Sequence, residues 1–211
     1  VVGRVLPATP TAFTLSAATA PFSIETVANG PVGNSGEVTL DLRGAGFAAE
    51  TVFTLRGGGQ ERPGIRQSIR EAGRAFVTFD LRGVPAGPAE IVATLGGLSV
   101  SRPAAVTVVD GGTGDFYAQL SGPATTRAGR FSPWFITYGN RGSIDVRLPL
   151  LRFRAPGARE FQIFDNTLNW ADSMTLLAFN PDVLLPTLGP GQEVTFQVRV
   201  KAMSPLTVHL E

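Results

Sequence analysis

Apolar and polar residues alternate with a period of two along most of the 211-residue chain. The stretch EVTLDLRG places Val38, Leu40 and Leu42 on one face of a strand, and Thr39 and Asp41 on the other. This alternation is typical of a half-buried β-strand rather than a helix. Turn residues recur every ~8–12 positions, the spacing found in β-sandwiches. The pattern therefore predicts an all-β chain of many short strands.

One segment, 61–74, also fits a short helix. Arginine recurs there at every fourth position from Arg62 to Arg74, so a helix would carry a basic stripe. Pro63 and Gly64 oppose a helix, because proline breaks the hydrogen-bond ladder and glycine lowers helix propensity. We therefore expect a short strand or an irregular crossover between two sheets, with at most one helical turn.

Composition narrows the possible functions. The chain has 25 glycines, 16 prolines and only 17% charged residues, which suits strands joined by tight turns. A formal net charge of +1 predicts binding neither to nucleic acid nor to a membrane surface. Without cysteine, disulfides, thiol catalysis and cysteine-based zinc sites are excluded. No apolar stretch reaches the roughly 18 residues of a membrane-spanning helix, so we predict no membrane insertion.

A weak internal repeat relates residues 10–31 to residues 103–123. Each copy has a Pro-x-Ala-apolar-Thr-apolar strand, a link of small residues, a new apolar strand and Gly-Pro. Repetition at about 90 residues predicts tandem modules of immunoglobulin size, joined here by a short glycine-rich linker. The predicted segments are a tail or last strand of an upstream module at 1–20, a sandwich at 21–109, a linker at 110–114 and a second sandwich at 115–211. The chain begins without methionine or a signal-peptide layout, so we expect a piece of a longer protein.

The first predicted sandwich resembles an IPT/TIG-type immunoglobulin-like domain. Residues 21–57 run from a proline through an apolar strand, a glycine turn and a second strand to Gly44-Ala45-Gly46-Phe47. Glycines permit a tight bend after that strand, and Phe47 can close the end of the sandwich. Residues 77–100 resemble the later part of the same module. The resemblance covers 21–109 and implies an immunoglobulin-like β-sandwich, with almost nothing about function.

The second predicted sandwich resembles the CARDB-like repeat domains of large bacterial surface and secreted proteins. Residues 120–157 carry the resemblance, including a strand that ends in Tyr-Gly-Asn-Arg-Gly at 138–142. Residues 185–200 are similar to the Pro-Gly turn and late strand of those domains. The segment 164–183 departs from the pattern, because it is longer and more polar than a minimal connection. The resemblance implies a spacer or adhesion role, extracellular or on the cell surface.

Two oxygen-rich stretches are candidate sites. Asp110 and Asp115 lie five residues apart in DGGTGD, and calcium prefers such carboxylate and carbonyl ligands. A single copy that does not match the Gly-Gly-x-Gly-x-Asp repeat favours a plain linker instead. In the second stretch, Asp165, Asn169 and Trp170 are candidate contacts for a glycan or protein ligand. The alternatives there are a metal site, a solvated loop and a loop anchor that covers the sandwich end.

Catalytic chemistry has little support in the sequence. The single histidine, His209, lies near the chain end, so a Ser-His-Asp site would have to form on a terminal strand. No pattern pairs two of the carboxylates as glycoside hydrolysis requires. We predict that the chain is not an enzyme, with no catalytic residue and no cofactor, a weakly supported calcium ion aside.

Three functions follow from these observations. The favoured one is a non-catalytic structural or adhesion module of a larger bacterial surface or secreted protein. It would act as a spacer or assembly unit, with neighbouring modules of the same or another chain as partners. The alternative is a carbohydrate- or protein-binding accessory module of a secreted hydrolase.

The third function is that of a nucleic-acid-binding TIG-type domain with phosphate contacts from loop arginines. Interleaved glutamates and the near-zero net charge disfavour this third function. Its candidate contacts are Arg56, Arg62, Arg66, Arg70 and Arg74.

Overall fold

We describe the fold from a computed structural model. The structure describes residues 19–123, 126–147, 150–163, 166–169, 172–178, 180, 187–203 and 208–210. Within these ranges the regular elements are strands and turns, without a helix, so the all-β prediction is confirmed. Among these residues no helix long and apolar enough to cross a membrane is present. The predicted tail at 1–20 lies almost wholly outside the described residues.

The N-terminal half is a sandwich of two sheets. Its nine strands are β1 (Ser23–Val27), β2 (Val32–Gly33), β3 (Glu37–Ala45), β4 (Val52–Gly57), β5 (Gln60–Pro63), β6 (Arg66–Glu71), β7 (Arg74–Asp80), β8 (Gly87–Leu95) and β9 (Leu98–Val109). One sheet has the order β1-β3-β7-β6 and the other has the order β2-β9-β8-β4-β5. Side chains from both sheets form one hydrophobic core.

The central strand β3 shows how alternation builds this core and where alternation fails. Val38, Leu40 and Leu42 are fully buried in the core, as predicted. Thr39 and Asp41, on the opposite face, are also buried, at 0% and 8% exposure. A strand at the surface of an isolated sandwich would leave that face in water. The outer face of β3 is therefore covered by another part of the chain.

The arginine-rich segment 61–74 forms strands, not a helix. It begins in β5, which pairs with β4 in one sheet, and continues into β6, which pairs with β7 in the other sheet. The chain therefore crosses between the sheets here, as expected from Pro63, which ends β5, and Gly64, which follows it.

The C-terminal half contributes ten further strands. They are β10 (Phe116–Ser121), β11 (Phe131–Asn140), β12 (Val146–Arg147), β13 (Leu150–Arg154), β14 (Ala158–Ile163), β15 (Asn166–Asn169), β16 (Ser173–Leu177), β17 (Thr187–Leu188), β18 (Glu193–Ala202) and β19 (His209–Leu210). The sheet orders are β10-β11-β18-β14-β15, β16-β13-β19 and β12-β17. A second hydrophobic core joins the larger two sheets.

The long strand β11 has the predicted faces. Ile136 and Tyr138 are buried in the second core, and Trp134 packs against it. Phe135 points to the opposite face and is 41% exposed. The two cores are separate clusters, and Ile144 is a residue of the C-terminal half that packs against the N-terminal core. The module boundaries and the immunoglobulin-like class stay predictions.

Candidate functional site: the seam between the two halves

The glycine-rich segment 110–114 is held to the N-terminal half by hydrogen bonds. The side-chain amide of Asn34 donates to Asp110 Oδ1 at 3.0 Å and to the Val84 carbonyl at 2.9 Å. The Gly111 amide donates to Asn34 Oδ1 at 2.7 Å. Ser35 Oγ donates to the Gly112 carbonyl at 2.7 Å. Hydrogen bonds therefore restrain the bends that the glycines of this segment would otherwise allow.

The two aspartates predicted as weak metal ligands have different roles in the structure. Asp110 accepts the hydrogen bond from Asn34, whereas Asp115 has an exposed side chain and uses its backbone. The Asp115 amide donates to Asn140 Oδ1 at 3.1 Å, and its carbonyl accepts from the Arg141 amide at 2.8 Å. Among the described residues, no three Asp, Glu or His side chains group as metal ligands would.

Most of the other candidate contact residues lie outside the residues that the structure describes. Asp165 and Trp170 lie outside the described residues. The backbone of Asn169 lies in β15 opposite Glu160, and its side chain is outside the described part. The structure therefore leaves the predicted ligand site at 164–183 as a prediction.

The candidate phosphate-binding arginines have partners within the chain. Arg56 pairs with Glu61 at 2.8 Å, and Arg66 pairs with Glu37. Arg74 makes a bidentate ion pair with Asp41, with Nε 3.0 Å from Oδ1 and Nη2 2.8 Å from Oδ2. Arg62 donates to Gln60 and to the Arg82 carbonyl. Such pairing lowers the positive charge available to a phosphate backbone.

The side chain of Asp145 joins the two halves. Asp145 Oδ1 accepts the Thr39 amide hydrogen at 2.6 Å, and Oδ2 accepts the Thr39 hydroxyl hydrogen at 2.6 Å. The Asp145 amide in turn donates to the Glu37 carbonyl at 2.9 Å. Strand β1 pairs with β3 only from Leu42 to Ala45. On that edge of β3, the residues before Leu42 have no strand partner. Asp145 therefore occupies the place of an edge-strand neighbour and satisfies its backbone groups.

Two further contacts flank Asp145. The Gly33 amide donates to the Ser143 carbonyl at 2.7 Å, next to the Ile144 side chain that packs on the first core. On the other side, the Asn29 side-chain amide donates to the Pro190 carbonyl at 2.7 Å. We call this group of contacts the seam: residues 29–39 of the N-terminal half against residues 111–115, 141–145 and 187–192 of the C-terminal half.

Asn140 organises the C-terminal side of the seam. Its Oδ1 accepts from the amides of Asp115 and Gly142, at 3.1 and 2.8 Å. Its Nδ2 donates to the carbonyls of Ile144 and Leu188, at 2.7 and 2.9 Å. The residue is 1% exposed, and this amide satisfies all four of its hydrogen-bonding positions within the chain. One side chain thus connects the linker end, the 141–145 loop and β17.

Three glycines let the backbones of the seam approach closely. A Cβ on Gly33 would stand 2.3 Å from the Gly111 carbonyl oxygen. One on Gly142 would stand 2.1 Å from the Thr113 carbonyl oxygen, and one on Gly189 would stand 2.4 Å from the Thr39 carbonyl oxygen. Only glycine fits at such distances, because each added carbon would overlap a backbone atom.

The electrostatics of the seam centre on the half-buried carboxyl group of Asp145. Burial raises the pKa of Asp145 to about 6, while hydrogen bonds from Thr39 act in the opposite direction. The Glu37 carboxylate also raises this pKa. A polar cavity of about 170 Å³ opens beside Asp145, and its lining includes Glu37, Arg82 and Arg147. The seam is therefore a polar joint whose carboxyl group changes charge near pH 6.

Comparisons with known proteins give little information. No protein-family model and no curated protein matches the sequence. A protein of the DUF4785 family from Legionella pneumophila is 10% identical at a TM-score of 0.30, covering 83% of this chain. The chain spans only 46% of that protein.

SGBP-B from a complex xyloglucan utilization locus in Bacteroides uniformis is 15% identical at a TM-score of 0.32, over 91% of this chain and 67% of that one. Chimeric titin Z1Z2 is 12% identical at 0.29, over 86% and 96%. Likenesses this distant say nothing about activity or ligand.

Sequence patterns identify only part of the seam. The Tyr-Gly-Asn motif that ends the strand at 138–142 contains Asn140. Nothing local singles out Asp145 or Thr39, because a lone carboxylate and a strand threonine are ordinary surface residues. The signal lies in the contact between residues 106 positions apart.

Proposed function

We propose that this chain is a non-catalytic structural unit of a longer bacterial surface or secreted protein. Its two sandwiches are joined rigidly and hold neighbouring parts of that protein at a fixed distance and angle. The extracellular setting comes from the CARDB-like resemblance of the second half.

The observation that carries this proposal is the hydrogen-bonded seam. A spacer that only tethers its neighbours needs a flexible linker and no contact between modules. Here the linker is hydrogen-bonded to the N-terminal half, and Asp145 bonds across the joint to the Thr39 amide and hydroxyl. Asn140 holds together the C-terminal side of the same joint. Buried hydrogen bonds with defined geometry favour one arrangement over others, because each alternative leaves polar groups unpaired.

The distance between the two halves tests the proposal directly. The chain has no cysteine, so two spin labels can be attached cleanly at Leu98→Cys and Met203→Cys, both exposed positions. We expect double electron–electron resonance at neutral pH to give a single narrow distribution of distances between the two labels. A broad distribution, like that of a flexible linker, would show that the halves move independently and would overturn the proposal.

A second candidate function is glycan or protein binding on the outer face of β11 and β18. Phe135 is exposed there beside its cross-strand neighbour Gln197, and Thr137 and Thr195 share a hydrogen bond at 2.8 Å on the same face. An exposed ring beside amides and hydroxyls can stack on a sugar and hydrogen-bond to it. A glycan array followed by titration tests it with Phe135→Ala and Trp170→Ala. Binding that survives both substitutions would place the ligand elsewhere.

A further inference from the structure

The seam contains a half-buried carboxyl group, Asp145, whose contacts with the N-terminal half exist only when the joint is closed. In the closed joint Asp145 contacts Thr39, which is 0% exposed, and Thr187, which is 3% exposed, lies within 3.4 Å of the Thr39 hydroxyl. When the halves separate, Asp145 loses both hydrogen bonds from Thr39 and keeps its contact with Thr187 of its own half. Closing the joint therefore removes a charge from water at neutral pH, and removing it costs free energy unless the charge is fully compensated.

The neighbouring hydroxyl groups accommodate both protonation states. With Asp145 ionised, the Thr39 hydroxyl donates to Oδ2 at 2.6 Å and accepts from Thr78 Oγ1 at 2.8 Å. With Asp145 protonated, the acid can donate to the Thr39 hydroxyl, and the Thr39 hydroxyl can then donate to Thr78. Hydroxyl hydrogens rotate freely between such positions. Protonation therefore keeps the hydrogen bonds of the seam and removes the buried charge.

We propose that the joint between the two halves is an acid-strengthened latch, with Asp145 as the group that senses pH. This inference rests on the proposed rigid joint and adds its regulation. The closed joint binds the Asp145 proton more tightly than the open joint, because the contact with the N-terminal half adds to the burial that raises the pKa of this carboxyl. Proton binding must then favour closure by the same factor.

The sign and range follow from the two states. The pKa of Asp145 is about 6 in the closed joint, against an ordinary value of 3.8 in water. The stabilisation from protonation is complete below pH 3.8 and is lost as the pH rises through 6. From these values the opening equilibrium should rise about tenfold between pH 5 and pH 8.

The other charged groups around Asp145 belong to several elements. Glu37 of β3 pairs with Arg66 of β6, and Arg147 of β12 lines the same cavity. Arg82 also lines the cavity, and its hydrogen bond to Asp80 lowers the pKa of that carboxyl. The single histidine of the chain, His209, lies in β19 and pairs across β13, away from the seam. Asp145 is thus the group of the seam that titrates near pH 6.

Amide hydrogen exchange provides the test, because the Thr39 amide is protected only by its bond to Asp145 across the seam. We would measure its protection, corrected for intrinsic exchange, from pH 5 to pH 8. The core amides of Val77 and Val198 serve as references for global unfolding. In the wild type, protection of Thr39 should fall about tenfold over this range.

Two variants separate the sources of a pH effect. In Asp145→Asn the side chain is neutral at every pH, accepts from the Thr39 amide and donates to the Thr39 hydroxyl. Its Thr39 protection should be independent of pH and exceed that of the wild type at pH 8. Glu37→Gln is the matched control and should keep most of the pH dependence. A pH dependence that persists in Asp145→Asn, or that disappears only in Glu37→Gln, would overturn the latch.

The same samples separate this inference from the proposed function. A narrow spin-label distance with flat exchange across pH would contradict the latch and leave the rigid joint intact. A broad distance distribution at every pH would contradict the rigid joint itself.

Discussion

Replacing Gly189 by alanine should open the seam while leaving both hydrophobic cores folded. The new Cβ would stand 2.4 Å from the Thr39 carbonyl oxygen and 3.0 Å from Gln192 Nε2. The first of these atoms is backbone in the middle of a paired strand, so it cannot turn away as a side chain can. Relief must come from separation of the two halves, at a cost of about 1–3 kcal/mol, the usual penalty for overpacking.

Exchange protection of the Thr39 and Asp145 amides should fall in Gly189→Ala, whereas protection in the middle of each core should not. The spin-label distance between Leu98→Cys and Met203→Cys should broaden in parallel. Gly30→Ala is the matched control, because a Cβ on Gly30 would meet nothing within 4 Å. An unchanged narrow distance in Gly189→Ala would mean that the joint does not depend on this close approach.

The substitution Asn140→Asp should destabilise the protein more than any other isosteric change in the seam. It replaces the amide nitrogen that donates to the Ile144 and Leu188 carbonyls with an oxygen that cannot donate when ionised. The buried Leu188 carbonyl and the partly buried Ile144 carbonyl would lose their partners and face a negative charge. Uncompensated buried charges cost about 3–5 kcal/mol, so we expect a loss of this size in urea unfolding at pH 7.

The loss in Asn140→Asp should shrink at pH 4, because a protonated carboxyl is neutral and can donate one hydrogen bond. Asp115→Asn is the matched control at the same joint, since the Asp115 side chain is exposed and only its backbone contacts Asn140. It should change stability by less than about 0.5 kcal/mol, as is usual for surface substitutions. Equal effects of the two substitutions would show that Asn140 does not organise the seam.

Much of the architecture could be predicted from alternation alone. The inward residues of β3 and β11, the strands at 61–74 and the strand-free segment at 110–114 follow from local patterns of apolar, glycine and proline residues. These patterns report which face of a strand avoids water, and that preference is a property of each segment. The ligand site expected at 164–183 and the assignment to known domain classes stay predictions.

The sequence by itself determined that this chain is all-β and that two cores form, because side-chain alternation and turn residues act over a few neighbouring positions. Only the tertiary structure decided that Thr39 and Asp41 face another part of the chain instead of water. It also decided that Asp145 bonds across the joint, that Asn140 holds together its C-terminal side, and that Gly33 and Gly189 let the halves approach closely. The contacts across the joint, Gly33 with Gly111, Thr39 with Asp145 and Thr39 with Gly189, connect residues 78, 106 and 150 positions apart. No local pattern distinguishes a carboxylate that will be buried by such a contact from one that stays in solvent.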